Sequence, residues 1–116
     1  MTYTLAVWDG EMPADDEQAT AEFNRLVELT EDDDIPPTQK IRRYVETLLS
    51  RWPDITEEGG ENSPWADGPL MGDADGPLFV FGLCTFLGEE PFIYCQALAK
   101  EHALVFFDPA EEQLLR

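Results

Sequence analysis

The stretch LFVFGLCTFLGEEPFIYCQALAKEHALVFFDP, residues 78–109, decides which fold this chain is expected to take. Its opening, 78–86, is almost wholly apolar, as in a strand buried on both faces, and Gly82 within it marks a bulge or a close approach. Glu89, Glu90 and Pro91 then stand in the first turn of a helix, with Lys100 and His102 near its end, the polarity that the helix dipole favours. A second apolar run, 104–107, closes the unit. Strand, helix and strand joined by short links predict a right-handed crossover with the two strands parallel.

Upstream, residues 2–8 mix β-branched and aromatic side chains and read as a first strand, stopped by Asp9 and Gly10. A helix is expected from about Pro13 or Asp15, with Ala19, Phe23, Leu26, Val27 and Thr30 repeating along one face. Thr38 is a candidate N-cap for a second helix, whose stripe of Ile41, Val45, Leu48, Leu49 and Trp52 ends at Pro53. The order β-α-α-β-α-β therefore predicts an α+β fold in one domain, 1–116. It would hold a small mixed sheet of about three or four strands and three helices, the last two strands being parallel. Residues 53–77 form a long acidic loop rich in Gly and Pro. Its Gly59-Gly60 portion is expected to be mobile, whereas Trp65, Leu70 and Met71 should hold 63–76 against the domain.

Charge narrows the functions available. The 116 residues carry 25 acidic side chains against 7 lysines and arginines, a net charge of −18. A field of that sign repels nucleic acid and anionic membrane and attracts a basic protein surface. No basic n-region precedes an apolar segment at the N-terminus, and the longest apolar run is too short to span a bilayer, so a cytoplasmic protein is expected. Cys84 and Cys95 should then be reduced and lie in the core.

Catalytic signatures are sparse. His102 is the one histidine, and a pairing with Cys84 or Cys95 would place the thiol in an apolar run that raises its pKa. GDADGP, residues 72–77, fails the calcium-loop template, because Met71 and Gly82 fall where ligands are required. No phosphate loop or nucleophile elbow occurs, and no cofactor or metal is expected. Carboxylates are so numerous that a chance pair within acid–base reach carries no information.

Two segments stand out for binding. In EDDDIPPTQKIRR, residues 31–43, Lys40, Arg42 and Arg43 occupy the first turn of a helix, where the dipole disfavours cations. The preceding acids, Glu31 with Asp32, Asp33 and Asp34, are the nearest groups to offset them across Pro36-Pro37. In SPWADGPLMGDADGP, residues 63–77, Trp65 is followed by Asp67, Asp73 and Asp75, an aromatic anchor coupled to negative charge. The partner-binding set expected is Asp32, Asp33, Asp34, Trp65, Asp67, Asp73 and Asp75.

Four stretches also carry a resemblance: LAVWDGEMPADDEQATAEF (5–23), PPTQKIRRYVETLLSRWPDI (36–55), SPWADGPL (63–70) and LAKEHALVFFDP (98–109). Together they resemble a family of small uncharacterised bacterial proteins with a vW-x-g start, a pt-x-x-I helix, an sPW turn and a final a-x-x-h-G-L-v-x-x-D-P strand. Ala103 stands where that family has glycine. No established activity comes with the resemblance. By analogy with other small acidic proteins it implies an immunity partner of a bacterial toxin. The functional expectation is a non-catalytic protein that occludes a basic toxin domain, with an adaptor or homodimer using the apolar third helix as the alternative and a DNA mimic as the third reading.

Overall fold

Residues 5–8, Leu-Ala-Val-Trp, are all buried, which an alternating half-exposed strand would not allow, and they lie at the centre of the molecule. The computed structural model describes residues 2–31, 35–66 and 68–115. Its helices are α1 (Asp16–Thr30), α2 (Gln39–Arg51) and α3 (Glu90–Glu101). Its strands are β1 (Thr2–Trp8), β2 (Ala74–Asp75), β3 (Leu78–Cys84), β4 (Val105–Asp108) and β5 (Gln113–Leu115). The fold is α+β, with one five-stranded sheet in the order β2-β3-β1-β4-β5.

This corrects the expected sheet in number, order and pairing. Every described pairing is antiparallel, including β4 with β5, the last two strands of the chain. The strands on either side of α3, β3 and β4, are not partners. β1 lies between them, with Val7 opposite Phe79 on one side and Phe106 on the other. The reason is burial: the crossover left a central slot, and the strand that can fill both sides of it with apolar groups is β1. Burial on both faces, read from the sequence into β3, belongs instead to β1 and β4, while Val80, Gly82 and Cys84 of β3 are only partly covered.

Alternation along β1 divides the interior into two cores. Leu5 and Val7 pack with Ile41, Tyr44, Val45 and Leu48 of α2 and with Cys95, Leu98 and Ala99 of α3. Ala6 and Trp8 pack on the other face with Ala19 and Leu26 of α1. Trp8, Phe23 and Phe107 form an aromatic triangle there, with centroids 5.4–6.3 Å apart. Among the described residues no helix is long and apolar enough to cross a membrane.

The helix boundaries follow local chemistry. Asp15 accepts the Gln18 N–H at 2.9 Å to cap α1, and Thr38 accepts the Ile41 N–H at 3.4 Å to cap α2. β2 and β3 are joined by Gly76 and Pro77 alone, with Gly76 at φ +54°, as the primed hairpin turns require. The same turn ties distant segments together. The Gly76 N–H donates to Ile35, the Gly76 carbonyl accepts from Thr38, and the Pro77 carbonyl accepts from Asp9, all within 3.0 Å.

α3 ends in a double hydrogen bond: Leu104 N–H to the Ala99 carbonyl at 2.8 Å and Ala103 N–H to Lys100 at 3.1 Å. The residue that makes this possible, Ala103, sits at φ +56°, the left-handed region that costs an alanine about 1–2 kcal/mol. Ala103→Gly removes that cost and returns part of it as unfolded-chain entropy, so a net gain of about 0.5–1 kcal/mol is expected. Urea unfolding should show the midpoint rising with an unchanged slope; a fall would mean that the alanine methyl contributes packing that exceeds its backbone cost.

Candidate functional site

The acidic loop, 53–77, is held by one carboxylate. Asp54 is 5% exposed. Its Oδ1 accepts the Thr56 N–H at 3.1 Å and the Thr56 hydroxyl at 3.0 Å, while Oδ2 accepts the Leu70 N–H at 2.8 Å. Two glycines exist to let the chain close around it. A Cβ at Gly68 would fall 2.4 Å from Asp54 Oδ1, and one at Gly60 would fall 2.1 Å from the Asp54 carbonyl oxygen. The portion expected to be mobile therefore contains a buried Gly60 wedged against the Asp54 backbone.

Beyond Gly60 the loop is stitched to the sheet. Ser63 donates to the Pro53 carbonyl, the Cys84 N–H donates to Pro64, and the Ala66 N–H donates to Gly82 at 3.0 Å. A Cβ at Gly82 would meet that of Ala66 at 2.7 Å, so the close approach anticipated at Gly82 is made by this strap. Trp65 is 3% exposed. Its Nε1–H donates to the Trp52 carbonyl at 3.1 Å, and its ring stands edge-on to Trp52 and Phe81. Its area is therefore spent on holding the loop to the sheet, and almost none is left for a partner.

The loop then turns through Leu70–Asp73 into β2 and delivers two of the expected site residues together. Asp73 and Asp75 meet Glu31, at the end of α1, around a cleft of about 400 Å³ whose floor includes Val27, Leu78 and Val80. No described residue lining it is basic. Asp32, Asp33, Asp34 and Asp67 lie outside the described residues. Lys40, for which the acids of 31–34 were the expected neighbours, has its Nζ 3.9 Å from Asp9 Oδ1.

One feature of this site, the Asp54 clasp, was not anticipated. Glu31, from the 31–34 segment expected to contribute acids to the partner surface, lines the cleft directly after Thr30, the last residue of α1. Asp54 had a signal in the sequence: an aspartate two residues before a threonine favours the local turn seen here. The Cys95 thiol carries no comparable chemistry. Burial pushes the Cys95 thiol up to about 12, against a smaller opposing effect of Tyr44, so it stays protonated at neutral pH. His102 sets its ring edge-on to Tyr44 at 6.1 Å. GDADGP is taken up by the β2–β3 hairpin, and among the described residues no group of three or more His, Cys, Asp or Glu is placed to hold a metal ion.

Burial alone would raise the Asp54 carboxyl, but hydrogen bonds from Leu70, Thr56 and Ile55 outweigh it and hold the group below its ordinary 3.8. The folded state thus binds this proton less readily than the unfolded state. The resulting stability is complete above the ordinary value and is lost as pH falls through the lower folded one. Asp54→Asn turns an amide donor toward an N–H donor and should cost about 1–3 kcal/mol at neutral pH. The gap between Asp54→Asn and the parent should narrow as denaturation is repeated below pH 3.8. A gap independent of pH would mean that packing, not charge, makes Asp54 important.

Comparison with protein-family models, with curated proteins and with solved structures finds no match to this chain.

Proposed function

We propose that the protein binds and neutralises a basic protein partner without catalysing a reaction, and that the partner is a bacterial toxin domain whose cleft it occludes in the manner of an immunity protein. The observation that carries this reading is the gathering of Glu31, Asp73 and Asp75 around an apolar floor in a chain of net charge −18. Such a surface steers a cationic partner from a distance and offers it apolar area on arrival. Nucleic acid and anionic membrane are repelled by the same field. Free Cys84 and Cys95, unpaired with each other, suit a reducing cytoplasmic setting. The protonated Cys95 thiol supports a role without covalent chemistry.

The test begins with capture from source-cell lysate at low salt, elution in a salt gradient and identification by mass. One stoichiometric basic protein is expected. Its association rate with the purified chain should fall by about tenfold or more as ionic strength rises through the physiological range. Glu31→Lys and Asp75→Lys, both at exposed or half-exposed positions, should each slow association while leaving the melting temperature near that of the parent. A rate indifferent to salt and to both charge reversals would sink the electrostatic reading.

A further inference from the structure

At the other end of β3 the surface has a different character. Thr85 and Gly88 close a tight turn between β3 and α3, the Gly88 N–H donating to the Thr85 carbonyl at 3.0 Å with Gly88 at φ +79°. The tip of such a turn faces water and ordinarily carries polar residues. Here it carries Phe86, 61% exposed, and Leu87, 39% exposed. One turn into α3, Ile93 is 59% exposed, and at the start of β1 Tyr3 is 42% exposed with its ring 5.9 Å from that of Phe92. Half of the described chain's eight exposed large apolar side chains therefore fall at one end of the sheet. An apolar concentration of this kind marks an interaction site.

Tyr3 and Ile93 line a groove of about 590 Å³ that also reaches Leu83, Phe92 and Leu115, and the Phe86–Leu87 tip stands at its rim between the lining residues Thr85 and Gly88. Its charged lining residues are Glu89 and Asp108, and no described lining residue is basic. Asp108 is held in place because its Oδ1 accepts the N–H groups of Ala110 at 3.0 Å and Glu111 at 3.3 Å. Charge decides between possible occupants. A second copy would bring another −18 and the same two carboxylates into contact, and an anionic lipid surface would meet the same repulsion. A segment that is both apolar and cationic satisfies the groove and its walls together.

We propose that this groove docks a cationic amphipathic segment of the basic partner, with an apolar side chain seated among Tyr3, Phe92 and Ile93, the exposed Phe86 and Leu87 covering it from the rim, and flanking Lys or Arg side chains meeting Glu89 and Asp108. The inference rests on the basic-partner reading and deepens it by separating two tasks. Along β3 the wall of the cleft reaches Val80 and that of the groove begins at Leu83, about 10 Å further on. The cleft steers, and the groove anchors.

The test titrates the isotope-labelled full chain with two synthetic probes followed by amide chemical shifts: an amphipathic Lys/Leu peptide and an oligolysine of equal charge. The amphipathic peptide should shift Tyr3, Phe86, Leu87 and Ile93, and Phe86→Ser and Ile93→Ser should each weaken it about tenfold. Both side chains are exposed, so the variants should retain the parent's dispersion of shifts. Oligolysine should leave the groove unshifted. If both peptides shift only Glu31 and Asp75, the groove proposal falls and the basic-partner reading stands. If neither peptide binds, both fall. Sedimentation showing a dimer that Ile93→Ser dissociates would also overturn the proposal, because the groove would then belong to a second copy.

Discussion

The central position of β1 is the constraint on which the rest of the molecule depends. It pairs with β3 from Thr2 to Trp8 and with β4 from Ala6 to Trp8, and it contributes to both cores through alternate side chains. A strand in that position needs apolar groups on both faces, and Leu5, Ala6, Val7 and Trp8 supply them. Once β1 occupies the slot, α3 has to carry the chain past it from β3 to β4. α1 is left to cover one face while α2 and α3 cover the other.

A sheet built this way has two edges, and an acidic side chain contributes to the cover on each side. Near β5, Asp16 Oδ1 accepts the Leu114 N–H at 2.9 Å, so the first turn of α1 occupies a donor that another strand would otherwise use. On the β3 side, the Asp54 carboxylate shapes the loop whose residues 64–66 run along the strand beyond the end of β2. Acidity in this protein is therefore partly architectural. Asp15, Asp16 and Asp54 each accept backbone N–H groups and so tie segments of the fold together.

The arrangement of the other described carboxylates separates long-range attraction from short-range contact. Glu31, Asp73 and Asp75 surround a modest cleft, while the larger groove beside α3 is chiefly apolar with two acids in its walls. Charge acts over roughly a Debye length of about 8–10 Å in ordinary salt, whereas apolar burial acts only on contact. A partner drawn by the first and held by the second would meet two surfaces of one rigid sheet. Trp65, the aromatic residue that looked best suited to a partner, serves instead as the plug that joins the loop to Trp52 and Phe81.

What the sequence determined by itself was local: an α+β class, three helices, and the cap at Thr38. Apolar spacing and side-chain caps act within a few residues, so they can be read without knowing the partners. The long loop was legible in the same way, and Gly82 announced a close approach without saying to what. Only the tertiary structure decided the strand order, because the rule that joins a strand, helix and strand cannot tell whether a third strand will claim the place between them. It alone revealed β2 and β5, whose two and three residues have no periodicity of their own. It also decided that Trp65 turns inward, that Glu31 joins Asp73 and Asp75, and that Phe86 and Ile93 stay in water. Each of these depends on residues far apart in the chain meeting around β1.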